Sequence, residues 1–153
     1  MSRAGCTKIG FGIESIEETA MRDYHRPTDI TEDYGILRKL DDLAVLSKVF
    51  LIIGHPEERP EYYDQVIKLL KYLCPDEVRI SFLTPFPGTQ LWKQMNHLGL
   101  IETFDYNLYT TFNPVIKMKH IDNERLKIER HRILYEYYTS NEFIGHLRDK
   151  TGN

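Results

Sequence analysis

The chain has 153 residues, 41% of them hydrophobic and 28% charged, with a formal net charge of −3. That size suits one domain with a real core, and the charge gives no general pull on nucleic acid or anionic lipid. No run of about 18 apolar residues exists to span a membrane, and Met1-Ser2-Arg3 leads into Ala4-Gly5-Cys6 without an apolar signal region, so the cytosol is the expected compartment.

Lys8 to Ile13 reads as a short apolar strand. Ser15 is placed to cap a short helix, with Glu17 and Glu18 in the turn where the dipole favours negative charge. Tyr24 to Asp29 reads as a loop broken by Pro27, and Thr28, Asp29 or Thr31 caps the next helix. Ile36, Leu37, Leu40, Leu43 and Ala44 give that helix one apolar face, and Ser47-Lys48 ends it. Val49 to Ile53 is aliphatic without polar alternation, which predicts a parallel strand covered on both faces. Pro60 opens a helix with an apolar stripe of Tyr63, Val66, Ile67, Leu70 and Leu73, ended by Cys74-Pro75-Asp76. Glu77 to Leu83 is the third strand. Thr89 caps a helix through Leu98, and Gly99 terminates it. From Glu102 to Ile121 periodicity fades, with an extended stretch expected at Pro114 to Met118. Asp122 or Asn123 then caps a long helix with Leu126, Ile133, Leu134 and Tyr137 inward. Residues 141–153 make a short fraying helix.

Three strands end in similar fashion: Gly12-Ile13-Glu14-Ser15, Ile53-Gly54-His55-Pro56 and Thr84-Pro85-Phe86-Pro87-Gly88-Thr89. Each apolar run gives way to polar, Gly or Pro residues and then to a helical pattern. This is a series of βα units, an α/β fold in which ligands sit at the carboxyl ends of the strands. Three parallel strands are too few for a barrel or an open sheet, and one edge strand would lie bare. The chain therefore reads as half of a larger unit, completed by a preceding half or by a second copy of itself. Cys6 and Cys74 are the only cysteines; they are far apart, outside any C-x-x-C pair, and expected to be reduced. The ten tyrosines are assigned to packing, because the basic background of a nucleic-acid binder is missing.

Taken together, the three motifs resemble the C-terminal half of the radical S-adenosylmethionine superfamily, in the subgroup with an N-terminal cobalamin-binding domain. Members include Fe-S oxidoreductases and anaerobic methylases or cyclases. The stretch from Ala4 to Ser15 looks like the subgroup's fourth barrel strand, Ile52 to Glu58 like the fifth, and Thr84 to Thr89 like the sixth. The match covers roughly residues 4 to 140 in one unbroken order. The resemblance implies residues 1–100 as half of a partial (β/α)6 barrel, and residues 101–153 as a C-terminal extension with a long helix. In the superfamily a C-x3-C-x2-C loop binds a 4Fe-4S cluster, and reductive cleavage of the cofactor gives a 5'-deoxyadenosyl radical. Neither that loop nor the glycine-rich second-strand motif is present. Two distant cysteines cannot ligate a cluster, so no metal ligands are assigned, the catalytic residues are unknown, and the chain alone is not competent.

The same resemblance implies a partial S-adenosylmethionine site. Glu14 and Ser15 occupy the fourth-strand polar position, where a carboxylate would accept ribose hydroxyls or meet the methionyl ammonium; otherwise Glu14 merely caps the next helix. Gly54, Pro56 and Glu58 match the fifth-strand pattern Gly-Leu-Pro-Gly-Glu-Thr, which here reads Gly54-His55-Pro56-Glu57-Glu58-Arg59. A glycine there lets a ligand approach the backbone. Thr84, Pro85, Pro87 and Gly88 match the turn bordering the adenine pocket, with Phe82 and Leu83 to flank a flat ring; the plain alternative is a stiff strand-to-helix connection. Arg26 would reach the cofactor carboxylate or remain an exposed loop arginine. Cys6, at the amino end of its strand, is read as packing. Phe104, Tyr106, Tyr109 and Phe112 either line a substrate entrance or cover the half barrel.

Three functions stay open at this point. The chain is a fragment of a radical S-adenosylmethionine oxidoreductase or methyltransferase-like enzyme that contributes pocket walls, with the cluster and cobalamin held only by the complete enzyme. Alternatively it is a non-catalytic half-barrel module that pairs with itself or a partner chain. A third possibility is an unrelated enzyme using His55 and Glu58 as acid and base.

Overall fold

Residues 2–16 and 30–152 are described by a computed structural model. Three strands, β1 (Lys8–Glu14), β2 (Leu46–Ile53) and β3 (Glu77–Phe82), form one sheet in the order β1-β2-β3. Both pairings are parallel, with Phe11 opposite Val49 and Val49 opposite Val78. Five helices follow the expected order: α1 (Ile30–Asp42), α2 (Pro60–Leu73), α3 (Gln90–His97), α4 (Asn123–Tyr138) and α5 (Asn141–Thr151). Two short 3-10 turns lie at Ser2–Ala4 and Tyr106–Leu108. Helix α1 precedes β2 and α2 precedes β3, so each strand change runs through a helix, as parallel neighbours require.

Local chemistry sets the helix ends. Proline stands at the first position of α2, where its missing N–H costs nothing. The side chains of Thr89, Asp122 and Ser140 accept from the backbone N–H of Trp92, Arg125 and Phe143, capping α3, α4 and α5. Cys74 closes α2 in the left-handed conformation, φ 50°.

The core lies on one face of the sheet. Ile13, Val49, Leu51, Ile53, Val78, Ile80 and Phe82 meet Leu37 of α1, Tyr63, Val66 and Leu70 of α2, and Leu126, Ile133 and Tyr137 of α4. The C-terminal helices thus share one hydrophobic cluster with the strands. A smaller cluster of Leu83, Met95, Ile101 and Ile116 seats α3. Ile101 and Ile116 form an antiparallel bridge, and Ile116 lies in the stretch expected to be extended.

Several sequence expectations need correction. Strand β2 is not covered on both faces: Ser47, Val49, Leu51 and Ile53 are buried, while Phe50 and Ile52 are only half-buried. All these residues are apolar or small, so the sequence lacks the alternation that the burial has. Ser47 and Lys48 do not end α1 but lie inside β2, because α1 already stops at Asp42. Thr31 lies within α1 and is not its cap. Glu17, Glu18, Arg26, Thr28 and Asp29, with the short helix expected after Ser15, fall outside the described residues.

The two sheet edges differ. Along the outer edge of β3, the Tyr138 hydroxyl accepts from Val78 N at 2.8 Å, and Arg130 Nε donates to Ile80 O at 2.9 Å. Phe82 N donates to Thr111 O at 2.8 Å. The C-terminal segment therefore satisfies the groups that a bare edge would expose. Strand β1 pairs with β2 on one side, and among the described residues no strand pairs with its other side.

Candidate functional site

The face of the sheet away from the helices is open. Gly10, Lys48 and Glu77 share one row across the strands, Gly12, Phe50 and Arg79 the next, and Ile52 and Ser81 a third. A Cβ on Gly10 would lie 2.8 Å from the Phe50 ring, which here packs on the bare backbone of β1 and would have to shift. Glu77 takes Lys8 at 2.7 Å and Lys48 more closely. The hydrogen bond from Lys48, then that from Lys8, hold its carboxyl at about 2. This ionic row is solvent-exposed and adds little stability.

Above it, at the carboxyl ends of the strands, lies a cleft of about 480 Å³. Its walls are Phe50, Ile52, Phe82, Leu83, Phe86 and Leu91, with Glu14, Ser81, Thr84 and Thr111 as polar members. Apolar walls with a few polar groups are the usual make-up of a small-molecule site. Glu14 sits there with φ 67°, a conformation rare for a residue with a side chain, immediately after a register shift between Gly12 and Glu14. Bulges and left-handed residues of this kind re-aim side chains and gather at functional sites. The Thr84 hydroxyl donates to Phe82 O at 3.0 Å, leaving oxygen lone pairs as its free capacity.

The other sequence-selected residues are placed behind this cleft. Ser15 is fully buried, its Oγ 3.0 Å from the Tyr62 hydroxyl. Glu58 is 1% exposed; its carboxylate accepts from Gly54 N at 2.8 Å, His55 N at 3.1 Å and the Tyr63 hydroxyl at 3.1 Å. Burial first, then the Glu58 charge, raises the Tyr63 phenol far above its ordinary value, so it stays a donor. Gly54 has φ 95°, and an added Cβ would approach Leu126 Cδ2 to 3.1 Å. Pro56 is buried, and its carbonyl accepts from Lys119 N at 3.1 Å. His55 is buried too, and its Nδ1 accepts from Glu57 N at 3.4 Å. Pro85 is buried beside Thr84.

The parallel strands thus bring all seven residues to one end of the sheet, but only Glu14 and Thr84 line the cleft itself. Ser15, Gly54 and Glu58 build the layer that fixes the strand ends. Sequence reasoning missed Phe50, Ile52, Ser81, Phe86 and Thr111 as cleft residues. The apolar run from Val49 to Ile53 hides the alternation of β2 and with it Phe50 and Ile52, whereas β3 reads Glu-Val-Arg-Ile-Ser-Phe and its alternation points to Ser81. Phe86 and Thr111 come from turns with no periodic signal. Of the residues named for an entrance, Phe112 follows Thr111 and is exposed like Phe104 and Tyr106, whereas Tyr109 is buried.

The donor set fits one wall for a nucleoside-like ligand: a carboxylate and a hydroxyl above aromatic and aliphatic surface. It does not fit an iron-sulfur cluster. Cys6 Sγ lies 3.6 Å from Lys8 O at the amino end of β1, and Cys74 caps α2, its thiol raised chiefly by burial. These two thiols do not converge.

No protein-family model matches the chain. It is similar to an uncharacterized methyltransferase of Pyrococcus horikoshii, 29% identical over 126 residues, which is 82% of this chain and 28% of that protein. It is also similar to an anaerobic magnesium-protoporphyrin IX monomethyl ester cyclase of Cereibacter sphaeroides, 25% identical over 76% of this chain and 19% of the relative. A bacteriochlorophyllide d C-12(1)-methyltransferase of Chlorobaculum tepidum is 20% identical over 99% of this chain and 33% of its own length. The chain thus spans a third or less of the length of these relatives.

Proposed function

We propose that this chain, which is similar to the C-terminal half of radical S-adenosylmethionine enzymes of the cobalamin-binding subgroup, supplies the last three βα units of a partial barrel and one wall of its S-adenosylmethionine pocket. Residues 1–100 form the barrel half and residues 101–153 its C-terminal extension. The observation that carries this reading is the asymmetry of the sheet. One face is packed under helices and the other is open with a cleft at the strand ends. One edge is closed by the C-terminal segment, while β1 has no strand on its far side among the described residues. A sheet with an inward face and one pairing edge is what half of a parallel barrel needs.

In this reading Glu14 accepts hydroxyl or ammonium hydrogen bonds from the cofactor, and Thr84 and the Phe82–Leu83 backbone border its base. Ser15, Gly54, Pro56, Glu58 and Pro85 hold those strand ends in place. When bound in a complete enzyme, the cofactor supplies a radical or a methyl group; the cluster and cobalamin belong to that enzyme's other parts. Whether the complete reaction is a methylation or a cyclisation follows from those parts and their substrate.

The test is calorimetric titration of the 153-residue chain with S-adenosylhomocysteine. Weak, saturable binding is expected, reduced about tenfold in Glu14→Gln, as for loss of one charged hydrogen bond. Equal heats in Glu14→Gln, or no binding at millimolar ligand, reject the pocket-wall assignment. The far side of β1, which has no strand neighbour among the described residues, favours a second reading, a non-catalytic half barrel that pairs with a partner chain or with another copy of itself.

A further inference from the structure

Below the cleft, two guanidinium groups gather on one aromatic ring. The Arg79 guanidinium carbon is 5.0 Å from the Phe112 ring centre, and that of Arg130 is 5.7 Å from the same centre. Arg130 also lies 5.8 Å from the Phe82 ring. Its Nε is anchored on Ile80 O, which fixes the group at the outer edge of β3. Arg79 is exposed on the open face of β3 and is the register partner of Phe50, a cleft wall.

No carboxylate among the described residues forms an ion pair with either group. The acids nearest in sequence are taken: Glu77 by Lys8 and Lys48, and Glu129 by Arg125 and Arg132. Burial, then the Arg79 charge, holds Arg130 below its ordinary value. Two like charges on one ring, without a counter-ion among the described residues, repel, and an anion within reach of both relieves that repulsion. Planar guanidinium forks match carboxylate geometry in two-point hydrogen bonds, which favours arginine over lysine for the task. Phe112 is 49% exposed and lies next to Thr111, a cleft residue, so the charged spot is continuous with apolar surface.

We infer that Arg79, Arg130 and Phe112 form a binding site for an organic carboxylate, whose anionic group sits on the two guanidiniums while its apolar body lies toward the cleft between Phe50 and Phe112. The rings beside the charges select a carboxylate carried on an apolar frame over a bare inorganic anion. The site does not depend on what occupies the Glu14 end of the cleft.

The test is a titration of the whole chain with naphthalene-2-carboxylate, followed by the arginine Nε–H resonances in nuclear magnetic resonance. Naphthalene-2-carboxamide, acetate and inorganic phosphate are the comparison ligands. Saturable shifts at Arg79 and Arg130 are expected with the naphthoate, and weaker ones with acetate and phosphate. Arg79→Gln, at an exposed position that leaves the Arg130–Ile80 bond in place, is expected to weaken naphthoate binding about tenfold or more. The same variant leaves S-adenosylhomocysteine binding unchanged, which separates this site from the pocket wall. Equal binding of the carboxamide, tighter binding of inorganic phosphate, or an unaltered affinity in Arg79→Gln overturns the assignment.

Discussion

Glu58 illustrates how a conspicuous residue acquires a different task once the chain is folded. In the sequence it is an acid that matches a family motif by resemblance; in the structure its two oxygens hold the N–H groups of Gly54 and His55 and the Tyr63 hydroxyl. That arrangement pins the turn in which Gly54 takes φ 95°. A side chain in this region is strained by about 1–2 kcal/mol, and the Leu126 methyl at 3.1 Å adds crowding. Gly54→Ala is therefore expected to lower unfolding free energy by about 1–2 kcal/mol, read from the urea midpoint. A variant within error of the parent means that the turn adapts freely. Glu14 differs: its φ of 67° is kept despite a side chain, at the mouth of the cleft.

At the scale of elements, strand β2 and the two sheet edges decide what the chain is able to do. The half-buried positions Phe50 and Ile52 turn one face of the sheet into a cleft wall. Tyr138, Arg130 and Thr111 close the β3 edge, which leaves the far side of β1 as the sheet side without a neighbour among the described residues. A pairing edge beside an apolar face drives association when nothing else covers it. Sedimentation of the isolated chain across a hundredfold range of concentration is expected to reveal a dimer that grows with concentration. A monomer throughout that range would remove the self-pairing reading and leave the pocket-wall reading intact.

For the molecule as a whole, the C-terminal helix is fastened to the amino end of the sheet by Asp76. Its carboxylate accepts from Ser47 N at 2.7 Å, Ser47 Oγ at 2.9 Å and Lys150 Nζ at 2.6 Å, with His146 Nε2 at 3.1 Å. Lys150 also reaches Asp41 at 2.8 Å, tying in α1. Burial acts to raise the Asp76 pKa, but the bonds from Lys150, Ser47 and His146 outweigh it and the net shift is downward. A folded pKa below the unfolded value means stability that is present above about pH 4 and lost as pH falls through the folded pKa. Asp76→Asn is expected to cost about 2 kcal/mol near neutral pH, and the gap from the parent should narrow in acid. Urea denaturation at neutral and acidic pH measures this; a gap independent of pH would exclude the linkage.

The order of strands and helices was legible in the chain because apolar periodicity and caps are local: Thr89, Asp122 and Pro60 stand where the helices begin. The grouping of Glu14, Gly54 and Thr84 at one end of the sheet also followed, since consecutive parallel strands put their carboxyl ends together. Tertiary structure alone decided which of them lines the cleft: Glu14 and Thr84 do, Gly54 does not. The half-burial of Phe50, the burial of Glu58 and the stacking of Arg79 and Arg130 on Phe112 depend on contacts between residues distant in sequence, and a run of apolar letters does not say which side of a sheet the helices will cover.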